Sequence, residues 1–446
     1  MRGLSIIGLT LCFAVLLSFN CFGAEGVKTP SDVYEERLDQ GLRNTEPYSH
    51  ALVKKAQANP SEGKSLLAEA ERHSPDTPAF YFERAKNDFP NLFTSMGDFL
   101  EGLRAYGRNF FYLFSLSGLL FASLILSLAI TLATVALIRF PMSAALLAHD
   151  IGERKKFIVL PLILIPLSLL GPAPLLLGPL FVSGLYLRGT DRAPAIIAFI
   201  LLALCPLLIK TSNIFFSAPT PELRAIVEVN EARENELALQ VLRAKEDYAS
   251  KFSYALALKR TGRFEEAISA YQSIPENERD AGRPAGKDRR VYTNLGNAYA
   301  AIANTGEGLG SPSVGLALVK ETYEKAEGLA SPSVALFYNM SQIYRDTFDY
   351  SKGDEYFKKA TGLDKDAVSQ FAAQSSRNPN RFLVDETLSR KDMLGAAISN
   401  SGEAIRPAAN PLIVSVASIG LFVLFIILGR TSMQRARRCS DRKSVV

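Results

Sequence analysis

The sequence predicts an all-α protein in which transmembrane helices carry an α-solenoid, a stack of paired helices. One observation is that four long stretches contain almost no charge, and a bilayer core needs about 20 apolar residues in a helix. These stretches are residues 110–138, 157–187, 193–210 and 411–429. The other observation is that residues 219–406 have helical periodicity, with small residues at recurring positions. Such recurrence is typical of helices that stack in pairs.

Residues 1–24 have the features of a secretory signal peptide. Arg2 supplies the positive end, residues 4–19 form the apolar run, and small residues precede Glu25. This order is typical of a segment that is cleaved after export. We therefore expect cleavage after Gly23 or Ala24, and we expect the helical segment 25–109 to be exported.

The end of this exported segment predicts an amphipathic helix that leads into the first membrane span. Its apolar residues fall on one helical face: Phe89, Leu92, Phe93, Met96, Phe99, Leu100, Leu103, Tyr106 and Phe110. Such a helix can lie along the membrane interface. Alternatively, it can pack on its own domain. The sequence leaves both interpretations open.

The distribution of charge predicts which segments face the cytoplasm. Residues 139–156 and the tail 430–446 are basic, and the tail holds 6 Lys/Arg against 1 Asp/Glu. Basic segments beside membrane spans stay inside. The proline-rich stretch 157–187 is either one tilted span or a hairpin. The hairpin is favoured because it keeps both Arg188 and the tail inside, and it places the repeat segment 219–406 outside the cytoplasm.

Charge and cysteine content exclude two further classes of protein. The formal net charge of +5 lies mostly in the tail, because segment 25–109 holds 11 basic against 14 acidic residues and segment 219–406 holds 25 against 27. No basic face with interleaved aromatic residues is evident, so we expect no nucleic-acid binding. The 4 cysteines lie in the signal, in a span and in the tail, which excludes a disulfide framework.

Three units in the segment 219–406 share a spacing of large and small residues. They contain "YALALKRTGRFEEAISAYQSI", then "VYTNLGNAYA" with "GLALVKETYEKAEGL", and then "FYNMSQIYRDTFDYSKGDEYFKKATGLD". These units resemble tetratricopeptide repeats, each of which has about 34 residues in two antiparallel helices. Gly353 stands where the family usually has Ala. A weaker match covers residues 62–86, where Ala70, Pro75 and Phe80 suggest one isolated unit.

A ten-residue sequence occurs twice within this region, at residues 307–316 and 327–336. Each copy contains a Ser-Pro pair, Ser311-Pro312 and Ser331-Pro332. Serine caps the free amides of a first helical turn, and proline fits the first helical position. We interpret the duplication as a start signal for two helices, the second helix of one unit and the first helix of the next.

The resemblance implies that other proteins bind in a concave groove lined by the first helix of each unit. By position, the candidate groove residues are Arg290, Asn294, Asn297, Tyr338, Gln342 and Arg345. Asn294 and Asn297 occupy places where some members of the family hold a terminal carboxylate. The basic partners of such a clamp are not evident, because Phe252 and Leu256 stand at comparable positions. The alternative is that these residues form a solvated face.

No catalytic site is expected. The segment "GEGLGSPSVG" lacks the Gly-Lys-Ser/Thr ending of a phosphate-binding loop and has no preceding strand. The 3 histidines are not at metal-ligand spacing, so we expect no metal and no cofactor. The spans lack buried acids and bases, which argues against active transport. Ser123, Ser127 and Thr131 form a small-residue face for packing within the chain or in a homo-oligomer.

These observations predict an inner-membrane scaffold of bacterial type. It would present a tetratricopeptide-repeat domain for protein–protein interaction in the cell envelope, with the lipid bilayer as its other partner. The alternative is a membrane channel or carrier component with a regulatory repeat domain. In that case the proline-rich stretch would form a pore element.

Overall fold

The computed structural model describes residues 37, 41–89, 91–151, 165, 169, 172–187, 190, 192–274, 279–280, 283–284, 288–305, 312–329, 333–375, 383–403 and 410–436. The predicted signal peptide and most of the basic tail lie outside these ranges. Within them the chain is helical, apart from strands Arg279–Asp280 and Arg283–Pro284, which pair antiparallel. The predicted fold class, all-α with apolar spanning helices and a stack of paired helices, is confirmed.

Between residues 41 and 109, four helices form the N-terminal domain: α1 (Glu46–Ala58), α2 (Gly63–His73), α3 (Ala79–Asn87) and α4 (Leu92–Arg108). Their core contains Leu67, Ala70 and Phe80, each of which is almost completely buried. Ala70 permits close approach of α1, because the Ser49 hydroxyl donates to its carbonyl at 3.2 Å. Ala70 and Phe80 are therefore core residues, as expected for positions in a helical repeat unit.

The first spanning helix continues further than the sequence predicts. Helix α5 (Phe110–Thr134) passes through a π-helical turn at Val135–Arg139 into α6 (Phe140–Ile151). The amide of Phe140 bonds to the carbonyl of Val135, five residues earlier. This wider turn lies next to Pro141, which has no amide and would otherwise break the ladder. The expected loop at 139–156 is thus wrong as far as Ile151.

The span expected at 193–210 is broken into two helices. Helices α8 (Arg192–Ala203) and α9 (Cys205–Ser217) are bent by 71°. Pro206, in the first turn of α9, lacks the amide that would continue α8. Hydroxyls of the last spanning helix satisfy carbonyls before the bend, because Ser415 donates to Ala203 and Ser418 donates to Phe199 at 2.9 Å. The break therefore leaves these carbonyls bonded within the bundle.

The helix α7 (Pro172–Tyr186) and the last helix, α20 (Pro411–Ala436), complete the apolar bundle. Phe199 of α8 and Phe425 of α20 meet at its centre, and Gly184 lets the ring of Phe425 approach α7. Among the described residues, two helices are long and apolar enough to cross a membrane, or three if α8 and α9 form one span.

The turn that the sequence predicts in the proline-rich stretch is not observed from Pro172 onward. Helix α7 begins at Pro172, directly after Gly171, and then continues through Gly178 and Pro179. Gly178-Pro179 is therefore not a turn. Residues 157–164 lie outside the described ranges, so the choice between one crossing and a hairpin stays a prediction.

The solenoid begins with two helices, α10 (Pro221–Asn230) and α11 (Glu236–Val241). Three helix pairs follow, α12 (Tyr248–Arg260) with α13 (Phe264–Gln272), α14 (Arg289–Thr305) with α15 (Pro312–Glu327), and α16 (Val334–Asp346) with α17 (Tyr350–Leu363). Helices α18 (Lys365–Ser375) and α19 (Arg390–Ser399) end the domain. Each pair corresponds to one predicted unit, and α10 and α11 precede them.

The small residues of the repeat pattern lie where paired helices touch. A Cβ at Gly296 of α14 would collide with the ring of Tyr323 on α15. Ala267, Ala326 and Ala360 are completely buried on the second helices. The unusual glycine at position 353 also has a cause. A Cβ there would lie 2.7 Å from Cγ of Arg345, whose side chain fills the space that alanine would occupy.

The repeated ten-residue segment does start two helices, although the caps differ from the expectation. Pro312 is the first residue of α15, as predicted. Helix α16 begins at Val334, and its cap is Ser333, whose hydroxyl accepts from the amide of Leu336 at 3.2 Å. The predicted cap Ser331 and its Pro332 lie outside the described residues. The second copy therefore starts its helix two residues later than predicted.

Candidate functional site: an occupied peptide groove

The first helices of the solenoid line a groove that contains a segment of the same chain. This segment, residues 383–389, is non-helical and connects the end of the repeats to α19. Its hydrogen bonds to α10, α12, α14 and α16 come from side chains that are 45 to 158 residues away along the sequence, the limits being Asn339 with Val384 and Asn230 with Leu388. We call residues 383–389 the internal segment.

Asparagine side chains bind the main chain of the internal segment. Asn339 of α16 both accepts from the amide of Val384 at 2.7 Å and donates to its carbonyl at 2.9 Å. Asn294 of α14 does the same with Glu386, at 2.9 and 2.8 Å. These four bonds satisfy the peptide groups as a neighbouring strand would.

A third asparagine extends the series by two more residues of the internal segment. Asn230 of α10 accepts from the amide of Leu388 at 2.7 Å, and its own amide donates to Ser253 at 2.8 Å. The bound positions are therefore alternate residues, which face the same side only in an extended chain. Asparagines on α16, α14 and α10 thus hold an extended segment that runs opposite to the order of the units.

The side chain between the first two bound positions is Asp385, which enters a basic pocket. Its carboxylate accepts from Nζ of Lys259 at 2.7 Å, from Nε of Arg260 at 3.3 Å and from Nδ2 of Asn297 at 3.0 Å. Burial of this carboxyl raises its pKa, but Lys259 and Arg260 outweigh burial and bring the pKa below its usual value. The groove therefore holds Asp385 as an anion.

Asn297 connects the pocket to the rest of the groove. It also donates to the carbonyl of Val384 at 3.0 Å, and its own oxygen accepts from Tyr323 at 2.6 Å and from Asn339 at 3.0 Å. All four of these hydrogen bonds, including the one to Asp385, are made inside the solenoid, and Asn297 is 1% exposed. A fully bonded network of this kind fixes the orientation of each amide group.

A second acidic side chain and an arginine bind at the rim of the groove. Glu386 pairs with Arg289 at 3.4 Å and accepts from the hydroxyl of Ser333. Arg290 donates to the carbonyl of Thr387 at 3.5 Å and pairs with Asp288 and Asp392. Burial lowers the pKa of the Arg290 guanidinium, but its bonds with Asp288 and Asp392 outweigh this and raise the pKa overall. Arg290 thus stays charged and joins the internal segment to α19.

Apolar side chains fix both ends of the internal segment. Val384 packs in the cluster of Tyr338, Val368 and Phe371. Leu388 is 3% exposed and belongs to the main core of the solenoid. Fully burying a side chain such as that of Leu388 contributes roughly 1.5–3 kcal/mol, whereas Val384 is half-buried. The internal segment is therefore an integral part of the packed domain.

The structure brings four of the six predicted groove residues together. Arg290, Asn294 and Asn297 bond to the internal segment, and Tyr338 packs in the same cluster as Val384. The other two lie elsewhere. Arg345 pairs with Asp354 at 2.8 Å and lies over the ring of Phe357, so it faces α17. Gln342 donates to Ser341 at 3.2 Å.

Sequence reasoning missed Asn230 and Asn339 as well as the basic pair Lys259 and Arg260. Phe252 and Leu256, considered as replacements for basic residues, are fully buried, and the charge is supplied one turn later on the same helix. Asn339 had a usable signal, because it occupies in α16 the place that Asn294 occupies in α14. Asn230 had none, because α10 carries no recognisable repeat pattern.

The comparison with known families identifies one of these helix pairs. A family model described as a tetratricopeptide repeat matches residues 334–366, which cover α16 and α17. No curated protein and no solved structure matched the chain. The chain therefore contains a tetratricopeptide repeat, which is a protein-interaction module. Among the residues that the structure describes, no group of three His, Cys, Asp or Glu side chains could hold a metal ion.

Proposed function

We propose that this chain is a membrane-anchored, non-catalytic scaffold whose repeat domain binds extended acidic segments of other proteins in the cell envelope. The observation that supports this is the asparagine series Asn339, Asn294 and Asn230, which bonds to the main chain and so does not depend on the side chains of the ligand. The acidic preference comes from the pocket of Lys259 and Arg260.

In this proposal the internal segment occupies the site until a partner replaces it. Tethering gives a segment of the same chain an effective concentration in the millimolar range or above. A partner therefore competes only if it binds more tightly or if the internal segment is first released. Four basic residues line the groove: Lys259, Arg260, Arg289 and Arg290. A partner segment with two or more carboxylates would match them.

The test uses the full-length chain in lipid nanodiscs and a fluorescent peptide with the sequence of residues 383–389. Asp385→Ala in the chain should loosen the internal segment while leaving Lys259 and Arg260 in place. We expect that variant to bind the peptide, and we expect a peptide with Lys at the Asp385 position to bind much more weakly. Adding Asn294→Ala to the chain should abolish binding.

If the Asp385→Ala chain does not bind the peptide although it remains folded by circular dichroism, the groove is a permanently closed structural element. If the Lys-containing peptide binds equally well, the acidic preference is wrong and only the main-chain recognition stands. Unaltered chain provides the control for competition by the internal segment.

We also propose that the protein lies in the inner membrane with the repeat domain on the exterior side and the basic tail in the cytoplasm. The support is the distribution of basic residues, which favours a cytoplasmic tail. Labelling of Cys439 by a membrane-impermeant maleimide tests the proposal in intact and permeabilised cells, with Cys439→Ser as the control. We expect labelling only after permeabilisation. Labelling in intact cells would place the repeats in the cytoplasm.

A further inference from the structure

The helix α4 has a large apolar face that the rest of the described chain leaves exposed. Phe93 is 91% exposed and Met96 is 54% exposed, and the neighbouring positions are similar. The members of this face, which we call the α4 apolar face, are Phe89, Leu92, Phe93, Met96, Phe99, Leu100 and Leu103. Their spacing puts them on one side of the helix. An apolar surface of this size marks an interaction site.

The opposite side of α4 is firmly attached to the N-terminal domain. A Cβ at Gly102 would lie 2.7 Å from the ring of Phe82 on α3, and Ala105 is fully buried. Ser95 donates to the carbonyl of Ala85 at 2.7 Å, and Asp98 pairs with Arg84 at 2.7 Å. The helix therefore cannot roll to bury its apolar face against its own domain. Of the two interpretations left open by the sequence, packing on its own domain therefore applies to this side of the helix.

The α4 apolar face is continuous with the first spanning helix. Only Asn109 separates α4 from α5, and this residue is extended, with φ −94° and ψ 118°. Its side chain caps α5 by accepting from the amide of Tyr112 at 3.0 Å and also donates to Glu46 at 2.9 Å. Asn109 therefore fixes the junction between α4 and α5, because its side chain bonds both to α5 and to Glu46 of α1. Since α5 is long and apolar enough to cross a membrane, α4 must lie near the surface of that membrane.

We propose that the α4 apolar face binds the lipid bilayer, with α4 in the plane of the interface and the N-terminal domain above it. The polar residues of α4 fit this arrangement, because Thr94, Glu101 and Arg104 lie to the side of the apolar face and Glu101 pairs with Arg104 within the helix. Helices of this kind bury their apolar side about 5–10 Å into the boundary between headgroups and acyl chains. Contact between the α4 apolar face and the bilayer fixes the distance of the N-terminal domain from the membrane.

Tryptophan fluorescence tests the proposal directly, because the chain contains no tryptophan. Phe93→Trp places a reporter at the most exposed residue of the apolar face, and Thr94→Trp places a matched control one residue later, on the polar side. Both full-length chains are reconstituted in nanodiscs of a phospholipid brominated in the upper acyl chain and of the same lipid without bromine. We expect a blue-shifted emission and strong quenching by bromine for Phe93→Trp, with much weaker quenching for Thr94→Trp.

Three outcomes would overturn the proposal. Blue-shifted emission from Phe93→Trp without quenching by bromine would place the face against protein, either a second copy or another partner. Red-shifted emission that is quenched by iodide would place it in water. Equal quenching of the two reporters would mean that α4 has no preferred side toward the lipid. Both substitutions are at exposed positions, so each variant should retain the fold.

Discussion

At the scale of single residues, Asp385 is the side chain on which the occupied groove depends most. Its carboxylate is 10% exposed and neutralises Lys259 and Arg260, which are 14% and 6% exposed. Breaking a buried pair by removing one partner costs about 3–5 kcal/mol, because the other charge stays buried. We expect Asp385→Ala to speed hydrogen exchange of the Glu386 amide. Asp354→Ala, which removes the exposed partner of Arg345, should cost no more than about 1 kcal/mol.

The pKa of Asp385 also predicts how the groove responds to acid. Because the folded-state pKa lies below the ordinary value, the contribution of this carboxylate to stability is complete above the ordinary Asp pKa. It is lost as the pH falls through the lowered folded-state value. Protection of the internal segment from hydrogen exchange, corrected for intrinsic rates, should thus be constant from about pH 5 to 8. A loss of protection near pH 6 would contradict this assignment.

Gly296 controls the closest approach of α14 and α15. Because a Cβ at this position would collide with the ring of Tyr323, we expect Gly296→Ala to destabilise the repeat domain by about 1–3 kcal/mol. Gly395 in α19 is the control, because nothing lies within 4 Å of its Cβ position. Gly395→Ala should stabilise by about 0.4–1 kcal/mol through the unfolded state. Urea unfolding of both variants measures the difference.

At the scale of an element, the start of α16 is coupled to the groove. Ser333 caps the helix and also donates to Glu386, whereas Asp349 caps α17 at an exposed position, where it accepts from Lys352. Loss of either cap should cost about 1 kcal/mol. We expect Ser333→Ala alone to increase hydrogen exchange at the internal segment as well. If hydrogen exchange at the internal segment is equal in Ser333→Ala and Asp349→Ala, the cap of α16 does not stabilise the groove.

At the scale of the whole molecule, one junction joins the N-terminal domain, the first spanning helix and the solenoid. Arg233 of the solenoid pairs with Glu46 at 2.6 Å and with Glu231 at 2.8 Å, and Glu231 accepts from the amide of Phe110 at 2.8 Å. The amides of Arg43 and Asn44 donate to Ala232. The repeat domain is therefore tied directly to the membrane helix.

Removing the guanidinium of Arg233 should loosen this junction. Arg233 is 10% exposed and Glu231 is 11% exposed, so Arg233→Ala leaves a buried carboxylate and should cost about 3–5 kcal/mol. We expect faster hydrogen exchange at the amides of Arg43 and Asn44. Arg263→Ala, which removes a pair with the 55% exposed Glu266, serves as the control and should leave both amides protected.

The sequence by itself determined the features that depend on neighbouring residues. Apolar length predicted the helices from Phe110 and from Pro411, and the spacing of small and large residues predicted the helix pairs around Gly296 and Tyr323. The same spacing placed Asn294 and Asn297 in the groove. These features are local, because the period of a helix and the thickness of a bilayer relate residues that are close in sequence.

Only the tertiary structure decided what fills the groove and where the spans break. Glu386 is 92 residues from Asn294, and Leu388 is 158 residues from Asn230, so no local pattern connects them. Arg345, by contrast, has the right position in its unit and yet faces α17. Which side chains meet depends on how successive helix pairs rotate as they stack, and that rotation is a sum of packing contacts over the whole solenoid.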